Sequence, residues 1–224
     1  MPGDRQGRPI EPIVALLLLL SATTGMIDAV SVLGLGKVFT ANMTGNIVFL
    51  GFALAGVRGF QWPCYVAALA AFAAGAFLAG RVGRRLSGHR RRWLIVVAGM
   101  ESTLLGLAAA VAALTPAAGD ATTSPATLAM ISLTAAAMGL RNATVRALKV
   151  ADLTTTVLTL TLAGLASDPW RETSGGTRLR RLYAILAILA GAMLGATLLL
   201  RLGLATPLIV AAAAVLLATL LLAE

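Results

Sequence analysis

Three ionisable side chains interrupt apolar runs of this sequence: Asp28 in "TTGMIDAV", Glu101 in "VVAGMEST" and Arg141 in "MGLRNATV". A charge at bilayer depth is costly and marks a functional site by default. The chemistry open to these groups is solute binding or proton coupling. The competing role is purely structural: a buried pair that fixes helix packing. Either carboxylate could pair with Arg141, and the sequence does not choose between them.

Two polar clusters complete the set. "ANMTGNIV" (41–48) and "ADLTTTVL" (151–158) each open a short apolar segment. Asn42, Thr44 and Asn46 stand at the head of the first, and Asp152, Thr154 and Thr156 at the head of the second. Asn, Asp and Thr cap helix N-termini because their side-chain oxygens accept the unpaired backbone N–H groups there. A helix N-terminus also carries partial positive charge and free donors, so two such heads meeting in a membrane could hold a polar or anionic solute. These six residues are therefore the expected substrate-binding set, with Asp28, Glu101 and Arg141 tuning charge or carrying protons. No metal site and no cofactor is expected.

The elements that must position these residues are membrane helices. The chain has 224 residues, 58% hydrophobic and 12% charged, with a mean hydropathy of +0.90. A soluble domain carries roughly twice that charge fraction. Apolar segments at 13–33, 61–81, 93–115, 126–147, 179–201 and 205–222 approach or exceed the roughly 20 residues that cross a bilayer. The apolar parts after the two polar heads are much shorter. The first, Ile47 to Val57, reaches only about 16 Å at 1.5 Å per residue. The single cysteine, Cys64, excludes an intramolecular disulfide, and the single histidine, His89, lies in an arginine-rich stretch. A nucleophile elbow, HExxH, P-loop and dinucleotide fingerprint are all missing, so the sequence does not read as an enzyme. The net charge of +9 is read as contact with anionic lipid at the cytoplasmic face, not as nucleic-acid binding.

The positive-inside rule selects a topology. With six spans, two segments that dip in and return, and a cytoplasmic N-terminus, 15 of the 18 Lys and Arg fall inside; only Lys37, Arg58 and Arg201 fall outside. With eight spans the best division is 11 against 7. The expected organisation is a cytoplasmic tail (1–12), a first membrane repeat (13–115) with a cytoplasmic basic loop (82–92), an extracytoplasmic linker (116–125) and a second membrane repeat (126–224).

The halves resemble one another. "GMIDA" (25–29) parallels "GLRNA" (139–143), "ANMTGNIV" parallels "ADLTTTVL", and "AGAFLAG" (74–80) parallels "AGAMLGA" (190–196). The offsets are 114, 110 and 116 residues. Three spans per half would invert the second copy, an architecture common in transporters, with the site at the repeat interface. The expected fold is thus all-α and polytopic: six transmembrane helices plus two short re-entrant half-helices in an inverted repeat.

The stretch "TTGMIDAVSVLGLGKVFTANMTGNIVFLGFALAG" (23–56) resembles the YoaK-like family of bacterial inner-membrane proteins, through Gly25, Asp28, Ala29, Ser31, Phe39, Asn42, Met43, Thr44, Gly45 and Asn46. The resemblance implies about six transmembrane helices and an inner-membrane location; some members carry a small-molecule permease label. The sequence-based expectation is a permease or channel for a small polar or anionic solute or ion, multi-pass in the inner membrane, with both termini cytoplasmic. Its partners are the lipid bilayer and an unidentified solute, and its small size suits a homodimer. The alternative is a non-transporting scaffold or lipid-interacting protein that docks through its basic loop.

Overall fold

The computed structural model describes residues 12–86, 88–115, 123–148 and 175–222, together with Ala163 and Ala166. Seven helices lie among the described residues: α1 (Pro12–Gly34), α2 (Met43–Leu54), α3 (Trp62–Arg85), α4 (Arg90–Leu114), α5 (Pro125–Leu148), α6 (Gly175–Leu202) and α7 (Ala205–Leu222). All but α2 are long and apolar enough to cross a bilayer. At 12 residues, α2 rises only about 18 Å, against a hydrocarbon core of about 30 Å. The described part of the fold is therefore all-helical, with the six expected spans.

Local signals set the boundaries. Pro63 and Pro125 occupy first-turn positions of α3 and α5, where a missing N–H costs nothing. The Ser124 hydroxyl accepts the Thr127 N–H at 3.1 Å, capping α5. After α1 the chain turns through Gly36 (φ 84°) and Lys37 (φ 61°), both left-handed, so a glycine here removes steric cost. The one clear departure from expectation is at the basic loop 82–92. Helix α3 continues through Arg85 and α4 begins at Arg90, leaving only a short connection between them. Long arginine side chains reach water from a helical backbone, so charge alone does not end a helix.

The core has three levels. At one end of the bundle, Val14, Leu17, Ala98, Val145, Ala184 and Ala218 pack together. The middle holds Met26, Ile27, Val30, Leu105, Met138 and Leu208. At the other end, Leu35 and Val38 from just beyond α1 meet Cys64, Tyr65 and Ala68 of α3 and Ile131 of α5.

Two helix crossings are made by glycine. A methyl group on Gly25 of α1 would run into the Ile188 carbonyl of α6, and one on Gly191 of α6 into the Ala22 carbonyl of α1. Likewise, Gly139 of α5 faces the Phe72 carbonyl of α3, and Gly75 of α3 faces the Ala136 carbonyl of α5. Lipid supplies little hydrophobic drive between helices, so such close backbone approach is a main source of association. Gly195 of α6 is held as closely against Met26 of α1.

Candidate functional site

Leu20, Thr24 and Asp28 follow one another at four-residue spacing and so share a face of α1. Near the middle of the bundle this face meets Glu101 of α4 and Arg141 of α5. Arg141 is 2% exposed and Glu101 is 3% exposed. The guanidinium donates from Nε to Glu101 Oε1 at 2.8 Å, and from Nη2 to the same oxygen. Its Nη1 donates to the Leu20 carbonyl at 2.9 Å and to the Thr24 hydroxyl at 2.8 Å. Four of the five guanidinium N–H directions are thereby used, which is what makes a buried arginine tolerable. Of the two pairings open to the sequence, the structure takes Glu101–Arg141.

Both guanidinium contacts fall on Oε1, so Oε2 lies outside the pair. Beside the pair is a narrow cavity of about 30 Å³, lined by Glu101, Arg141, Thr144 and Thr219 among apolar side chains. A void of that size has room for one or two water molecules, for which these four side chains are the hydrogen-bonding partners.

Asp28 is held differently. It forms no ion pair within 4 Å among the described residues, although it lies in the field of Arg141. The Ala41 backbone N–H faces its carboxylate. The carboxylate's Oδ1 is closed off from solvent and has no hydrogen-bond partner. One residue before Ala41, the Thr40 hydroxyl is in the same state, buried and unpartnered, in a residue 0% exposed. Ala41 itself belongs to the middle level of the core, with Met26, Ile27 and Val30. The connection after α1 has therefore folded back into the bundle, to a depth about 9 Å short of the helix end at Gly34. Leaving a buried polar group unpaired costs about 1–3 kcal/mol, and here two sit on adjoining segments.

The polar head of α2 divides. Asn46 is fully buried; its Oδ1 accepts the Phe39 N–H at 2.9 Å and its Nδ2 donates to the Phe39 carbonyl. This pair of bonds pins the loop that carries Thr40 and Ala41. Asn42 occupies the N-cap position but makes no capping bond, and both it and Thr44 are exposed. Asp152, Thr154 and Thr156 lie outside the described residues.

Sequence reasoning singled out Asp28, Glu101 and Arg141, and the structure gathers them around one level of the bundle. It missed Thr24 and Thr40. The four-residue spacing from Thr24 to Asp28 was a usable signal for the first. Thr40 carries none, because only the fold-back of the loop brings it inward.

Residues 16–221 match the family described as "Protein of unknown function (DUF1275)". The chain is 33% identical over 159 residues to the "UPF0700 transmembrane protein YoaK" of Bacillus subtilis (strain 168), a match covering 68% of this chain and 65% of that protein, just under two thirds of its length. No solved structure matches.

Proposed function

The chain belongs to the DUF1275 family of multi-pass membrane proteins, and from that premise we propose that it is a permease or channel for a small polar solute or ion. The observation that carries this is Asp28: a carboxylate oxygen without a partner, at mid-depth, against a non-helical segment. Irregular backbone inside a membrane is tolerated where protein buries it or where it lines a cavity. Broken helices at that depth are the usual place for a transported solute.

The charge balance narrows the solute. Arg141 is neutralised by Glu101, so Asp28 leaves the cluster with a negative balance. The Ala41 N–H at the head of α2 already has a carboxylate in front of it. An anion would meet Asp28 as a like charge, whereas a cation or a hydrogen-bond-donating solute finds acceptors in Asp28 Oδ1 and Thr40 Oγ1. Asn42 and Thr44 would stand at the entrance and Asn46 behind the loop. Glu101 and Arg141 hold the charge of the cavity fixed.

Two observations support the re-entrant, inverted-repeat design. Leu35 and Val38 share a cluster with the start of α3, which puts the exit from α1 and the entry to α3 at one end of the bundle. The glycine crossings are also reciprocal. Gly25 on Ile188 becomes Gly139 on Phe72 when α1 is exchanged for α5 and α6 for α3, at the offsets of 114 and 116 residues seen in the sequence repeat.

The test is flux through liposomes containing the full chain, probed with protons, Na⁺, K⁺, methylammonium, urea, glycerol and chloride. Flux of a cation or of a neutral donor above protein-free vesicles is expected. Asp28→Asn should lower it at least tenfold without changing the thermal midpoint. Chloride as the only permeant, no permeant at all, or an unaffected Asp28→Asn variant would each overturn the proposal.

A further inference from the structure

At the arginine-rich end of the bundle, a cleft of about 530 Å³ opens between α3, α4 and α5. Its floor is made of small residues, among them Gly80, Gly83 and Ala143, and Arg84, Arg90 and Trp93 frame it. Among the described residues neither arginine has an ion-pair partner, since the single ion pair is Arg141–Glu101. The indole Nε1 of Trp93 is buried and donates to nothing. The ring lies against α3 at Gly83, where a Cβ would stand in ordinary contact with it, 3.5 Å from Nε1. The first turn of α4 contains no acidic residue but begins with Arg90, Arg91 and Arg92, cations at the positive end of a helix dipole. Two unpaired guanidinium groups, an unused indole donor and a helix N-terminus together call for an anion with several acceptor oxygens.

We propose that this cleft binds the headgroup phosphate of an anionic phospholipid, held by Arg84 and Arg90 with the Trp93 N–H as a third donor. Its position favours a lipid over free phosphate. Tryptophan and arginine at the ends of spans mark headgroup level. Phe77, two turns inward on α3, and Val96, one turn inward on α4, are exposed apolar side chains along which acyl chains can lie. Basic pockets between transmembrane helices serve such headgroups elsewhere. The assignment does not depend on transport.

Native mass spectrometry of the full chain in mild detergent tests it. Phosphatidylglycerol should bind at least tenfold tighter than phosphatidylcholine. The double variant Arg84→Gln/Arg90→Gln should abolish that preference, and Trp93→Phe should weaken it several-fold, both with unchanged thermal midpoints in detergent alone. Arg91→Gln/Arg92→Gln removes equal charge beside the cleft and should retain the preference. An equal loss in that pair would show diffuse surface charge and overturn the site, as would an unaffected Arg84/Arg90 or Trp93 variant. Displacement of phosphatidylglycerol by millimolar inorganic phosphate would overturn the lipid assignment.

Discussion

Arg141 is the most consequential side chain in the described bundle, because it spends four hydrogen bonds on two other helices. Removing one member of a buried pair strands the other charge, at about 3–5 kcal/mol, whereas removing both with apolar substitutes is far milder. Glu101→Leu and Arg141→Met should therefore each lower stability by about that amount, and the double variant by clearly less than their sum. Unfolding of the purified protein in bicelles, read as a double-mutant cycle, checks this. Asn46 gives a second prediction. Asn46→Ala leaves the part-buried Phe39 N–H and carbonyl without their side-chain partner, and a loss of about 1 kcal/mol is expected. Faster limited proteolysis within 35–42 should accompany it. The intramembrane charges were legible one by one, since a charge inside an apolar run stands out. Their pairing was not, because it depends on the rotation of α4 and α5 about their axes.

The helices themselves were almost fully legible, since length and hydropathy alone delimit a span. Their termini were less so: α3 and α4 run further into the arginine cluster than hydropathy suggests. The glycines predict contrasting outcomes within this one chain. Gly139→Ala and Gly191→Ala place a methyl against a neighbouring carbonyl and force helices apart, so each should lose at least about 2 kcal/mol or fail to accumulate. Gly51 of α2 meets no neighbouring atom within 4 Å, so Gly51→Ala should gain about 0.5–1 kcal/mol from helix propensity. Thermal melts of the three variants in one detergent separate these outcomes.

At the scale of the molecule, the number of crossings before α3 decides the architecture. With Cys64 replaced by alanine, single cysteines at Lys37, Gly59 and Gly88 report sidedness through a membrane-impermeant thiol reagent. If α2 dips and returns, Lys37 and Gly59 react from one side of the membrane and Gly88 from the other. Reaction of Lys37 and Gly88 from one side, with Gly59 on the other, would show that α2 crosses. Charge counting predicts the dip from sequence, because it sums over eighteen residues and tolerates errors in any one. The depth of the loop before α2 was not accessible that way. It is set by Asn46 gripping Phe39 and by Ala41 seating beside Met26, contacts that follow from tertiary packing.

The crossing of α1 over α6 bears on how the protein is made. The helix that α1 packs against most extensively begins at Gly175, about 160 residues after α1 starts, and α7 follows it. At synthesis rates of about 5–20 residues per second, α1 waits roughly ten to thirty seconds in the bilayer for that partner. Through that interval its glycine groove and its Thr24–Asp28 face need shelter from lipid and from wrong partners. The order of translation thus leaves α1 unsecured until α6 is made, and the insertion machinery or a second nascent chain has the time to hold it.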